Sequence, residues 1–177
     1  MFGKIRSIDN NEVVIENIGG ADLTNLMNCH LIFEGDERKV VGEVILINES
    51  ITKVLLIGEI INNKFNAGVV RKPNGNSKIR VITLPELELI FGKSELTKDR
   101  LFLGKSAIYK NFNISVSLND FFASHNAIIG NTGSGKSCGV AKILQNLFLS
   151  QNKPVNSHIV LFDAYTSNKW WTNTSFR

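Results

Sequence analysis

Eight residues constrain this chain more than any others: Gly130-Asn131-Thr132-Gly133-Ser134-Gly135-Lys136-Ser137 fits the pattern G-x-x-x-x-G-K-[ST]. Glycines at these positions let successive backbone N–H groups turn toward one anion. A helix beginning at the lysine aims its partially positive end at the same point. The flanks suit that reading. Ala127-Ile128-Ile129 is a short apolar run ending at Gly130, which predicts a buried strand. Val140, Ile143, Leu144, Leu147 and Phe148 recur at helical spacing behind the loop. Lys136 is then placed to reach the β- and γ-phosphates of a nucleotide, and the Ser137 hydroxyl to ligate Mg²⁺. ATP and Mg²⁺ are the expected cofactors, with Gly130, Asn131, Thr132, Gly133, Ser134, Gly135, Lys136 and Ser137 forming the site. A glycine-rich loop that binds nothing would have no need of a lysine and a serine there.

Pro154 interrupts the helix, and His158–Phe162 forms a second apolar run bounded by Asp163. Strand, helix and strand in some forty residues predict a βαβ unit with parallel, doubly buried strands. Asp163 has two readings. In a simple P-loop kinase order it is a catalytic or supporting acid. In the RecA-like order the true Walker B strand comes later, and Asp163 only neighbours the nucleotide site. The second is preferred on the family likeness given below.

The first eighty residues have a different pattern. Gly3–Ile8, Glu12–Asn17, His30–Phe33, Lys39–Asn48, Lys53–Ile61 and Lys78–Thr83 are Val/Ile-rich segments separated by polar turns, which predicts a small barrel or sandwich. Gly42 and Gly58 interrupt apolar strand patterns and mark expected bulges or corners. Thr83-Leu84-Pro85-Glu86 reads as a capping box opening a helix that stops at Gly92. Lys93–Arg100 reads as a linker, and Ile114, Val116 and Leu118 as a half-exposed strand. The fold class expected is α+β: a β-barrel at 1–92, a linker and hairpin at 93–121, and the opening βαβ part of a RecA-like P-loop domain at 122–177.

Composition excludes several alternatives. With 43% hydrophobic and 20% charged residues, the chain is neither disordered nor a disulfide scaffold. Cys29 and Cys138 fit no metal spacing, and sparse cysteine use favours a reducing compartment. No apolar run reaches the ~20 residues of a membrane helix, and no signal peptide is visible, so a cytoplasmic location is expected. Cys138 reads as a small packing residue, and His30, His125 and His158 as unclustered. Residues 101–177 carry seven basic and two acidic side chains, whereas the first 100 are nearly balanced. A basic second half suits nucleotide or DNA without defining a DNA surface.

Ser124-His125-Asn126-Ala127-Ile128-Ile129 together with the loop resembles the signature "H-x-x-I-x-G-x-T-G-S-G-K-S" of the HerA family of hexameric ATPases, relatives of the FtsK-like DNA translocases. Ile108 to Asp120 is similar to that family's lead-in hairpin, the β-rich N-terminal part to its barrel, and Leu161-Phe162-Asp163 to the start of "F-D-P-H-G-E-Y". The resemblance implies a homo-hexamer, ATP-driven work on DNA, and a partner nuclease. It also implies that the Walker B acids, sensor and arginine finger lie further downstream. After Asp163 this chain departs to Ala164-Tyr165-Thr166, and no Glu follows Glu95. The expectation is a truncated ATPase that binds ATP weakly or not at all and does not turn it over. The alternative is a non-catalytic barrel module with a vestigial P-loop.

Overall fold

The computed structural model describes residues 3–17, 24–35, 37–149 and 160. Nine strands and three α-helices lie among them, with one 3-10 turn at Thr24–Leu26: β1 (Gly3–Asp9), β2 (Glu12–Asn17), β3 (His30–Glu34), β4 (Lys39–Ile47), β5 (Ile51–Ile61), β6 (Lys64–Ala67), β7 (Lys78–Val81), α1 (Leu84–Phe91), β8 (Arg100–Lys105), β9 (Asn113–Ser117), α2 (Leu118–Ala123) and α3 (Lys136–Leu149). The first seven strands form one antiparallel sheet in the order β1-β2-β5-β4-β3-β7, with β6 added to the second half of β5. It curls into a half-barrel. β1 and β7 do not pair, so the expected barrel is open.

Alternation explains the sheet, and bulges explain its curvature. Val13, Ile15, Leu31, Phe33, Val54 and Leu56 point to one buried face, joined by Val40, Val44 and Ile79. Each such side chain contributes about 1.5–3 kcal/mol by leaving water. Between β4 and β5 the register skips Ile57: Gly42 faces Leu56, and Val41 faces Gly58. That extra residue reverses the facing of the rest of β5, so Ile60 joins Val41 and Ile32 on the opposite face. Gly42 and Gly58 flank the bulge, as their position in the strand pattern suggests. A Cβ on Gly58 would collide with the Phe65 ring and the Asn66 carbonyl, which is how closely β6 crosses there.

The opposite face is covered by α1 and by Phe112, with Tyr109 and Ile114 packed beside it. This is why β3 is buried on both sides and reads as an unbroken apolar run. Glu86 starts α1 as expected, its Oε2 accepting from the Thr83 N–H at 3.0 Å and from the Thr83 hydroxyl at 2.8 Å. The same carboxylate takes a fork from Arg80 (Nη1 at 2.8 Å, Nη2 at 2.7 Å) and Lys39 Nζ at 2.7 Å. One side chain therefore both caps α1 and fastens it to β4 and β7.

Three segments after α1 differ from the sequence expectation. The segment after α1 is more than a linker: Ser94 is bonded to the Asn113 amide N–H and side chain, and Arg100 already belongs to β8. Leu118 opens α2 instead of ending a strand. Ala127–Ile129 is irregular and exposed, Ile129 at 92%, and every strand pairing among the described residues is antiparallel. A three-residue apolar run has no intrinsic strand preference strong enough to stand without neighbouring strands. Its expected partner, His158–Phe162, falls outside the described residues apart from Val160, so the RecA-like βαβ unit is not seen.

Candidate nucleotide-binding loop

The loop rests on a small platform. β8 and β9 form a hairpin, with Leu101↔Val116 and Phe102↔Ser115 in register and a bulge at Leu103. Leu101 from the hairpin, Leu118 from α2 and Leu147 from α3 make a buried cluster, with Val116, Phe121 and Ile143 against it. The apolar stripe expected from Val140 to Phe148 thus does bury Leu144 and Leu147. Asn146 adds direction, its Nδ2 donating to Phe102 O across 2.8 Å. Asn126, ahead of the loop, donates to Phe121 O and, at 3.1 Å, to Ser124 O, which ties the approach segment to the end of α2.

Gly130–Ser137 then turns into α3. Gly133 and Gly135 have φ of +80° and +85°, a region open to glycine and strained for other residues. A Cβ on Gly130 would lie 2.5 Å from Ser134 Oγ. Ser134 N–H donates to Asn131 O at 3.1 Å, closing the bend, and Gly139 N–H to Gly135 O at 2.8 Å begins the helical ladder. The first N–H groups of α3 have no carbonyl a turn behind them to bond, so they remain available to an anion. Lys136 Nζ folds back over the loop and donates to Gly130 O and Asn131 O, each at 2.7 Å. Ser137 is exposed at the same helix end. The eight motif residues are therefore brought together around one loop and one helix N-terminus. Asp163 lies outside the described residues, as do Trp170 and Trp171.

The other candidates resolve differently. Cys138, read as a packing residue, is exposed beside Ser137. Cys29 is buried, and burial pushes its thiol upward. His30 is a packed histidine: its backbone N–H donates to Tyr109 Oη at 2.8 Å, and its Nδ1 lies 2.6 Å from the same oxygen. The direction of that second bond follows the imidazole tautomer: an unprotonated Nδ1 accepts from the Tyr109 hydroxyl. Burial lowers the histidine against the charge of Glu43, and burial pushes Tyr109 up to about 12 against the hydrogen bond from the His30 N–H. A hairpin was expected within 93–121, but its first strand β8 and the roles of Asn126 and Asn146 were missed from sequence. Leu101 and Leu103, alternating with Phe102, were the available signal for β8.

The segment therefore combines an apolar support, a glycine-rich bend and a lysine at the first turn of a helix. Residues 101–167 match the family described as Helicase HerA, central domain. The match begins at β8 and takes in the hairpin, the loop and α3, and over that span the chain is similar to this family. No curated protein matches it. Among the described residues, no helix is long and apolar enough to cross a membrane.

Proposed function

We propose that Gly130–Ser137 is an ATP phosphate site and that the chain is the nucleotide-binding portion of a HerA-like DNA translocase or helicase. The observation that carries this reading is the pair of left-handed glycines, Gly133 and Gly135, leading into α3 with Lys136 at its first turn. The donor set suits a phosphate: backbone N–H groups of the loop and helix, and one ammonium. Gly130 O and Asn131 O hold that ammonium over the loop, and a phosphate competes for it with two neutral carbonyls, a weaker hold than an ion pair. Ser137 supplies the hydroxyl for Mg²⁺, with Asp163 as its neighbour. Bound Mg²⁺ would neutralise phosphate charge.

Hydrolysis needs a carboxylate to orient water and cationic groups to stabilise the transferring phosphoryl group. Beyond Lys136 the sequence offers Asp163 alone as an acid and Arg177 as its one arginine. The 177-residue chain therefore binds Mg·ATP weakly without turning it over. In this reading the half-barrel at 1–92 serves hexamer assembly or docking of a partner nuclease, 93–121 couples it to the ATPase part at 122–177, and DNA is handled by the complete assembly in the cytoplasm.

A second reading has its own support. Among the described residues, most of the buried core lies in the half-barrel and its α1 cover, and the cluster that holds α3 has three buried members. That distribution favours a barrel-based assembly or regulatory module with a vestigial P-loop. Titrating the chain with Mg·ATP while following the amides of 130–137 separates the two. Shifts there that vanish in Lys136→Ala support a nucleotide site. Their absence, with a stable proteolytic fragment ending near residue 95, supports the module.

A further inference from the structure

A second concavity lies at the other functional pole of the sequence, in the half-barrel, and shares no residue with the loop at 130–137. The turn between β3 and β4 and the segment leading into β7 enclose a cleft of about 340 Å³. The buried residues Phe33 and Val40 line it from the core side, and Arg38, Arg71, Lys72 and Ser77 contribute its polar lining. The volume lies at the lower end of small-molecule sites, which run from ~300 Å³ upward.

Glu59 holds the two walls together. It is 4% exposed, and its Oε1 accepts from Arg38 Nη1 at 2.9 Å and from the backbone N–H groups of Val70 and Arg71, each at 3.1 Å. Arg38 Nη2 reaches Lys72 O at 3.3 Å, joining the β3–β4 turn to the opposite segment. A buried carboxylate thus fixes the backbone that carries Arg71 and Lys72, and its charge is matched by Arg38. Neither Arg71 nor Lys72 is paired with a carboxylate among the described residues, and both are exposed. Among the described residues, Glu37 is the acidic group lining the cleft, against the basic side chains of Arg71 and Lys72.

We propose that this cleft binds a small phosphate-bearing anion through Arg71 and Lys72. A guanidinium and an ammonium on a pre-fixed segment offer separate donors to an anion with several oxygens. Because Glu59 sets the backbone before any ligand arrives, only the side chains of Arg71 and Lys72 are left to be ordered on binding. The shared chemistry is the phosphate group, whose source is either free pyrophosphate or a sugar phosphate.

The test uses the full chain carrying Lys136→Ala, which silences the nucleotide loop. It is titrated at low salt with pyrophosphate and, in parallel, with glucose phosphate, following backbone amide shifts. Saturable shifts confined to 35–40 and 70–78 are expected, weakened at least about tenfold in Arg71→Gln/Lys72→Gln. Both substituted residues are exposed, so an unchanged melting temperature separates lost binding from lost folding. Tighter binding of pyrophosphate assigns the inorganic source, and tighter binding of glucose phosphate the organic one. Unchanged affinity in the double variant, shifts elsewhere, or no saturation at millimolar ligand overturns the proposal.

Discussion

Leu147→Ala isolates the support under the nucleotide loop. Leu147 is fully buried and is one of three buried residues holding α3 to the hairpin and α2. Truncation removes three carbons, worth about 0.8 kcal/mol each, or roughly 2.4 kcal/mol of transfer energy. A cavity term adds to this, and measured Leu→Ala costs run from about 2 to 5 kcal/mol. The surrounding Leu103, Val116, Phe121 and Ile143 are only partly buried and can settle inward, which places the expected cost near 3 kcal/mol. The loss should be local, because the half-barrel has separate cores. Native-state hydrogen exchange reads this directly. Amides of α3 should exchange about a hundredfold faster while those of β3, β4 and β5 keep their protection. An equal loss of protection in the barrel, or none in α3, would refute the idea that this cluster supports the loop's helix independently of the barrel.

Two further substitutions test the seams of the structure. Tyr109→Phe strands the buried His30 N–H and should cost about 1–3 kcal/mol in urea unfolding. Burial lowers His30, so the neutral ring contributes stability above the ordinary histidine range, and that contribution falls away as pH drops below it. Titrating wild-type stability from pH ~8 to ~5 should show this decline, and a flat profile would count against the neutral ring. Glu86→Gln removes the charge that Arg80 and Lys39 share, at a cost of about 2 kcal/mol near neutrality. The hydrogen bonds from Arg80 hold this carboxyl well below the usual range. Its contribution is therefore complete above the ordinary glutamate range and is lost as pH falls, so the variant's acid-limb stability should be flatter than wild type. Parallel acid limbs would contradict that assignment.

What could be read in advance depended on how local the cause was. The strands β1 to β5 and helix α1 follow from alternation, turn residues and a capping box, all within a few positions. The loop at 130–137 is contiguous, so its chemistry is visible without any tertiary contact. β6 was missed because its hairpin turns on Asn62-Asn63, with φ of +50° and +57°. Asparagine tolerates that left-handed turn, and the residues announced it less clearly than Asn-Gly would. The same tolerance places Asn10, Asn28 and Asn111 at positive φ and accounts for part of the chain's asparagine. The His30–Tyr109 bond spans 79 positions, and the fork from Arg80 to Glu86 depends on α1 folding back over the sheet. Neither has a local signature. Ala127–Ile129 failed for the opposite reason: its apolarity is local, but a parallel strand exists only through its neighbours.

The most direct test of the central claim is a Mg·ATP titration of the 177-residue chain that follows the Gly130–Ser137 amides and phosphate release together. The account predicts weak, saturable shifts centred on Gly133, Gly135 and Lys136, abolished by Lys136→Ala, with no phosphate released above the uncatalysed background. Undisturbed amides in that loop would contradict the nucleotide site, and steady-state phosphate release lost on Lys136→Ala would contradict the absence of turnover.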